Sequence, residues 1–484
     1  MRVFRAASVC ACVLMVCLAG CTVGPNYHTP SAPTAPGWKE APPPNPPNGS
    51  WTQATPSDGA LRGAWWEMYG DPQLNALEKR VAVSNQSLRA AMEQYFQARE
   101  QVQVARSQYY PTLSAGPSAG RTRESNNQAN TVRGVTTYQY NAFSVAGQAQ
   151  WEPDLWGQVR RTVEASRANA QASAALLANV ELSLRAELAV DYFQLRGLDL
   201  QKQLLDNTVK SYTDYLKLTK IRFQGGVATD SDVALAQTQL DTTRAQDIDV
   251  GVARAQYEDA IATLIGEPAP SFHLAALPLA GNPPPIPAGV PSELLERRPD
   301  IAAAERQADA ANAQIGVAMA AYYPNVSLSG TGGMLSGSLG TLIQGPSEMW
   351  SLGASATELL FDAGRRHALT QQARDAYQQQ VANYRQTVLS AFQDVEDNLS
   401  ALRILDQEAV AQAQAVNDAQ RSLAISTKQY KGGVVTYLQV LSAQTAQLTS
   451  ERAQASVATE QFVASVQLIR ALGGGWNTSQ LPKL

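Results

Sequence analysis

The chain repeats itself at long range. RFQGGVATDSDVALAQ, around Gly225, returns 207 residues later as QYKGGVVTYLQVLSAQ around Gly432. Tyr109-Tyr110-Pro111 is matched by Tyr322-Tyr323-Pro324, Trp156 with Arg160-Arg161 by Phe361 with Arg365-Arg366, and Gly266 by Gly473. The offsets of 213, 205, 207 and 207 residues leave room only for small insertions. One unit of about two hundred residues is therefore used twice, which excludes a short-period solenoid and predicts two halves of like architecture.

The first twenty residues read as a bacterial export signal: Arg2 and Arg5, then the apolar stretch Ala6 to Leu18, then Leu18-Ala19-Gly20-Cys21. The stretch is short for a membrane span and ends in small residues, as before a cleavage site. LAGC resembles a lipobox, in which Cys21 becomes the lipidated first residue of the mature chain; a plain secretory signal with an incidental cysteine is the alternative. Thr22, rather than aspartate, follows the cysteine, which favours outer-membrane sorting. Cys10, Cys12 and Cys17 leave with the signal, so the mature chain keeps neither an intrachain disulfide nor a cysteine metal cluster. Loss of Arg2 and Arg5 takes the formal charge from -4 to -6. Nucleic-acid binders carry a basic footprint, so nucleic acid is not an expected partner. No later run reaches the ~20 apolar residues of a membrane helix. A bilayer-spanning part must then be made of strands.

Residues 21–73 form a Pro-, Gly-, Ser- and Thr-rich tether, including APPPNPPNGS at 41–50, and an equatorial segment. Helical pattern runs from Asp71-Pro72 to Tyr110, where Pro111 stops it. Over 112–156 the period changes to two. Phe143, Val145, Gly147, Ala149 and Trp151 alternate with Ser144, Ala146, Gln148 and Gln150. In the second copy Val326 and Leu328 alternate with Ser327 and Ser329, and Trp350, Leu352, Ala354 and Ala356 with Ser351, Gly353, Ser355 and Thr357. Each copy supplies one β-hairpin, about 112–156 and about 325–361. An apolar face backed by a small or polar one suits a strand between lipid and water; a half-buried soluble sheet gives the same alternation.

The helices break that tie. Residues 158–224 and 364–431 contain no proline and carry apolar positions at spacings of three and four. At about 1.5 Å per residue each is on the order of 100 Å long. That is too long for a compact domain and suggests coiled-coil packing. Return helices are expected at 232–265 and 437–472, after glycine pairs that end the long helices; Thr229 or Asp230 can cap the first of them. Repeat 1 thus covers 74–266 and repeat 2 298–473, with a Pro-rich linker at 267–297 and a tail at 474–484. Four strands cannot close a barrel, because bacterial barrels have eight or more. Strands must be pooled between chains, two giving eight and three giving twelve.

At this point the residues resemble the TolC-like outer-membrane efflux proteins, and within them the lipidated NodT/OprM-type group. The resemblance rests on CTVGPNY at 21–27, WWEMYGDPQLNAL at 65–77, both YYP stops, WEPDLWG against ELLFDAG, both Gly-Gly-Val turns and ERRPDI at 296–301. It covers nearly the whole mature chain. It implies an α+β membrane protein: a homotrimer with a twelve-stranded β-barrel in the outer membrane and a long α-helical tunnel in the periplasm. It further implies a passive duct serving a periplasmic adaptor (membrane fusion) protein and an inner-membrane pump of the resistance-nodulation-division (RND) class, with no cofactor beyond the lipid on Cys21 and outer-membrane lipid around the barrel.

Within that family the tunnel is pinched shut beside the periplasmic turns. Carried over by motif, the turns that dock the adaptor are Gly225, Gly226, Val227 and Thr229 in the first copy and Gly432, Gly433, Val434 and Thr436 in the second. The aperture candidates are Asp230, Asp232, Leu438, Gln439 and Ser442. Relatives commonly place aspartates where this chain has Gln439 or Ser442, so an acidic ring in the second copy is in doubt; Asp230 and Asp232 could supply one, or could simply cap the helix that starts there. Tyr109, Tyr110, Trp156, Tyr322, Tyr323 and Phe361 fall at one level and suit an interfacial aromatic girdle; helix-end packing also accounts for them. Arg160-Arg161 and Arg365-Arg366 sit where positive charge opposes the helix dipole. A solvated face is the plain reading of them, lipid headgroups or a positive ring in the barrel mouth the others.

No catalytic constellation is present in the sequence. His28, His273 and His367 lie in the tether, the linker and a helix start, with no metal-ligand partner at helical spacing. There is no GxSxG and no Walker loop, and Gly330-Thr331-Gly332-Gly333 lacks the Lys-Ser or Lys-Thr that phosphate binding needs. The scattered acidic residues read as a solvated coiled-coil face. A periplasmic adaptor or a structural lipoprotein would share the lipobox and helices but not two apolar-faced hairpins.

Overall fold

The computed structural model describes residues 22–40, 63–125, 139–286 and 293–484. The export signal, Cys21, the proline run at 41–50, the loop residues 126–138 and linker residues 287–292 lie outside the described residues. After a 3-10 turn at Trp65–Tyr69 come α1 (Pro72–Ser84), α2 (Gln86–Ser107), β1 (Thr112–Arg123), β2 (Gln139–Trp151), α3 (Gln158–Gln224) and α4 (Asp230–Leu264). A second run follows in the same order: α5 (Pro299–Ala320), β3 (Asn325–Ser336), β4 (Glu348–Thr357), α6 (Arg365–Lys431) and α7 (Tyr437–Ala471). Both α3 and α6 are 67 residues long, and both α4 and α7 are 35.

The stretch read as one helix from Asp71 to Tyr110 is two. Asn85 breaks it with extended backbone, its side-chain oxygen accepting from the Leu88 amide at 2.9 Å and its amide donating to the Leu264 carbonyl at 2.7 Å. A residue that offers the backbone a competing partner ends one helix and caps the next. At both YYP sequences the helix stops short of the proline, at Ser107 and Ala320, because the residue before proline is disfavoured in the α region.

α3 is the axis of the chain. α2, α4, α5 and α7 all pack along it, and α6 carries α5 and α7. The largest core forms where the middle of α3 meets α1, the end of α4 and the end of α7, around Leu74, Leu188, Tyr192, Leu195, Ile261, Phe462 and Ile469. Each such side chain taken fully from water contributes roughly 1.5–3 kcal/mol. A second core of Tyr212, Leu216, Leu240, Tyr430, Tyr437 and Val440 holds the two helical hairpins together near their tips. Not every charge is solvated: Arg196 and Asp199, both buried, pair at 3.0 Å, and Arg254 reaches the same carboxylate at 2.7 Å. Asp199 also accepts from the Leu277 amide and Arg196 donates to the Ala275 carbonyl, so this trio pins the start of the linker to α3.

The strands form one antiparallel sheet in the order β1-β2-β3-β4. β2 and β3 join the hairpins, with Phe143 opposite Ser336 and Trp151 opposite Leu328. Among the described residues no helix is long and apolar enough to cross a membrane.

Candidate functional site

The register decides what the sheet presents. Residues directly opposite in an antiparallel pair share a face. Leu113, Ala115 and Pro117 stand opposite Ala149, Gly147 and Val145; these stand opposite Gly330, Gly332 and Met334, and Leu328 and Gly332 stand opposite Ala354 and Trp350. One face is thus small, apolar or aromatic across all four strands. The other carries Ser118 bonded to Ser144 at 2.7 Å, Gln148 opposite Thr331, and Ser327 bonded to Ser355 at 2.8 Å. On the apolar face Leu113, Trp350 and Leu352 are each 79% exposed. β1 and β4 are left as edges with unpaired backbone groups, an arrangement soluble sheets avoid.

At the foot of the sheet each long helix starts from a glycine with positive φ, Gly157 at 83° and Gly364 at 87°, which only glycine adopts without strain. Neither glycine has a side chain to cap with, and an aspartate just upstream supplies the acceptor. Asp154 accepts from the amides of Val159 and Arg160 at 3.1 and 3.0 Å; Asp362 accepts from those of Gly364 and Arg366, both at 3.1 Å. Arg160 and Arg366 then pair with these carboxylates at 3.1 and 2.8 Å, and the Arg366 amide and guanidinium hold the Asp362 carboxyl below the usual carboxylate range. This answers why cations are retained against the helix dipole. A solvated face is the wrong description of Arg161, which is buried and donates to the carbonyls of Val23 and Gly24 at 3.2 and 3.1 Å.

Of the six aromatic candidates, Trp156 stacks on Tyr323 with ring centroids 4.9 Å apart and donates to the Pro324 carbonyl at 2.8 Å, so this pair joins α3 to the start of β3. Arg366 lies over the Tyr322 ring at 5.4 Å, and the Tyr109 carbonyl accepts from the Trp151 indole at 3.0 Å. Tyr110 and Phe361 face outward.

At the other end the glycine pairs close the long helices. Gly226 and Gly433 take φ of 70° and 76°; Gly225 and Gly432 stay at negative φ. The Gly226 and Val227 amides donate back to Phe223 and Arg222, and those of Gly433 and Val434 to Tyr430 and Gln429, the Schellman pattern. Val227 and Val434 stand exposed at the turns. Beyond them the copies part. Thr229 caps α4, its Oγ1 accepting from the Asp232 amide at 3.2 Å while Asp232 accepts from the Thr229 amide at 2.9 Å; Asp230 is the first helical residue and makes no part of this box. Thr436 caps α7 without a side-chain bond, and Leu438, Gln439 and Ser442 are exposed. The tips also touch each other: Arg222 donates to the Lys431 carbonyl at 3.2 Å and stacks over Tyr430 at 4.6 Å, and Tyr215 bonds Thr427 at 2.8 Å.

A sheet with one apolar face is thus continued by helices about 100 Å long. The family model "Outer membrane efflux protein" matches the chain twice, over residues 77–267 and 290–474. The chain belongs to that family. It is 31% identical over 460 residues to the probable efflux pump outer membrane protein TtgC of Pseudomonas putida, covering 95% of this chain and 93% of that one. It is 30% identical over 477 residues to outer membrane protein OprJ of Pseudomonas aeruginosa, covering 97% and 96%. The solved outer-membrane channel OprN superposes with a TM-score of 0.84 at 29% identity, over 94% of this chain and all of that one. The chain is an outer-membrane efflux protein, a passive duct and not an enzyme.

Sequence reasoning missed the seat of Arg161 and the Arg196-Asp199-Arg254 trio. Gly316, a glycine inside a helix, was the available signal for the first. Nothing in the spacing marks the second.

Proposed function

We propose that three copies of this chain assemble as the outer-membrane exit duct of a tripartite efflux system. A periplasmic adaptor docks at the Gly225 and Gly432 turns, an inner-membrane RND-type transporter energises export, and a lipid on Cys21 adds a membrane anchor. The carrying observation is an unequal pair of seats. α5 sits between two long helices, α3 and α6, whereas among the described residues α3 is the one long helix packed along α2. On α2 Met92, Phe96 and Val104 stay exposed, and on α6 Leu369, Leu389 and Ile404 do. Seating the α2 of one copy against the α6 of the next repeats inside the assembly the arrangement α5 already has inside the chain. A head-to-tail contact of this kind makes a closed ring when the rotation closes, and three chains with four strands each reach the even barrel sizes that bacteria use. Opening then requires the Gly225 and Gly432 helical pairs to splay outward at the tips.

The strand seam follows from the same logic. A shift of 213 residues for β1 and 207 for β2 carries the pair Thr112–Gln150 onto Asn325–Thr357 and Gly120–Ala142 onto Gly333–Met349. Applied to the β2–β3 pair Gly147–Gly332, it sets Ala354 of one copy opposite Ala119 of the next. In a Cys21→Ser background, Ala354→Cys with Ala119→Cys is expected to give a covalent trimer on mild oxidation, and Ala354→Cys with Pro117→Cys or Arg121→Cys is not. A monomer in detergent, freely soluble once Cys21 is replaced, refutes the duct. Bridging neighbouring tips should abolish transport while the trimer persists.

A further inference from the structure

The segment that follows the lipobox cysteine is seated in a slot built from both halves of the chain. Gly24, at φ 100°, lies against Gly316 of α5 so closely that a Cβ on Gly24 would come within 2.5 Å of the Gly316 Cα. A Cβ on Gly316 would meet the Val23 carbonyl at 2.9 Å and Arg161 at 2.8 Å, and one on Gly157 would meet the Cα of Thr22 at 2.9 Å. Three glycines thus leave a passage that fits backbone and nothing larger. Arg161 closes it from α3: besides the carbonyls of Val23 and Gly24 it donates to Asn26 Oδ1 at 3.0 Å and pairs with Glu164 at 2.8 Å. From α5, Asn312, itself buried, donates to the Pro25 carbonyl at 3.1 Å, and Glu305 accepts from the Tyr27 hydroxyl at 2.7 Å. The Val23 amide donates to the Trp156 carbonyl at 3.1 Å, which ties the segment to the foot of the sheet. Without the segment the buried Arg161 guanidinium would keep, among the described residues, only Glu164 as a partner and lose three acceptors, so the seat and the segment need each other.

We propose that residues 22–27 are a strap whose seat, formed by Gly157 and Arg161 of α3 with Glu305, Asn312 and Gly316 of α5, holds the amino-terminal end at the foot of the sheet whether or not a lipid is attached. Arg161 is the positioning residue. The strap joins the long helix of the first half to the first helix of the second, so an anchor at Cys21 is held by both halves rather than by a loose tether. The role as an anchor rests on the lipidation reading; the docking does not.

Chymotrypsin cleavage after Tyr27, read by mass of the released amino-terminal peptide, separates the two. In detergent-purified Cys21→Ser protein the site should resist as it does in the lipidated chain. Gly24→Val alters only the strap and leaves the helices as they are; it should accelerate cleavage at least tenfold with the oligomer intact. Arg161→Met should do the same and Arg161→Lys less. Cleavage of the Cys21→Ser chain as fast as of the denatured chain overturns the seat, and so does unchanged resistance in Gly24→Val. Failure of Cys21 to take up labelled palmitate removes the anchor and leaves the strap standing.

Discussion

α3 and α6 have the same length, the same glycine at each end and the same place in their halves, yet α3 buries 21 residues and α6 nine. The reason is position. α3 has packed helices on both flanks, α2 and α5; α6 has α5 on one flank and, among the described residues, no second flanking helix but the extended residues 31–40, held by Arg385 to the Ser31 carbonyl, Trp38 against Phe392 and Arg403 to Glu40. Two nearly equivalent helices therefore teach where a single chain is incomplete. The unburied flank of α6 marks a surface that another copy would cover, and the buried flank of α3 shows what that cover looks like.

The largest effects test that contrast. Leu188→Ala, on the core-facing side of α3, should cost about 2–5 kcal/mol, read as earlier loss of helical circular dichroism on heating. Leu389→Ala, at a half-exposed position of α6 with no helix among the described residues beside it, should leave the isolated chain within about 0.5 kcal/mol and weaken the oligomer instead, read by native mass in detergent. Equal loss of chain stability in both variants would break the comparison.

A second test concerns a charge that only the first half buries. Glu78 of α1 is fully buried with no hydrogen-bond partner on either oxygen, and burial pushes its carboxyl well above the usual 4.5, against the pull of Arg185. Folding therefore favours its protonated form. Between 4.5 and the raised folded value the unfolded chain ionises it more than the folded chain does, so stability is lost as the pH rises through that window. Glu78→Gln should raise the melting temperature at pH 8, with the gain shrinking to nothing near pH 4.5. A variant less stable at pH 8 would mean that the carboxylate is charged and paired.

The tips give the smallest differences. Thr229→Ala removes one half of a capping box and should cost about 1 kcal/mol, seen as faster amide exchange over residues 230–233. Thr436→Ala, which removes no side-chain bond, should cost only a few tenths. Gln439→Asp should give the second turn the reciprocal bonds of the first and slow exchange at the start of α7. If the two threonine variants behave alike, the divergence of the turns has no energetic content.

What was legible follows a rule of distance along the chain. Glycines in Schellman turns and the alternation of Trp350, Leu352 and Ala354 with serines depend on residues within a few positions of each other, so they can be read directly. The cap at Thr229 was only half legible and the break at Asn85 was missed, because Asn and Thr serve equally in caps, turns and solvent. Arg161 and Asp199 were misread as surface charge. Their partners, Val23 and Gly24 for one and Arg254 and Leu277 for the other, lie 55 to 138 residues away, and a charged residue at helical spacing looks the same whether it faces water or a buried carbonyl.

The sequence by itself determined the two halves, the long proline-free helices, the glycine turns and which face of each strand is apolar, since each is set by local backbone preference or by a period of two or three to four residues. Only the tertiary structure decided that all four apolar faces align through the β2–β3 register. It alone seated residues 22–27 between α3 and α5 and gave α3 two flanks and α6 one. These depend on which surfaces meet after the chain has folded back on itself, and a repeat cannot encode that, because both copies carry nearly the same pattern while standing next to different neighbours.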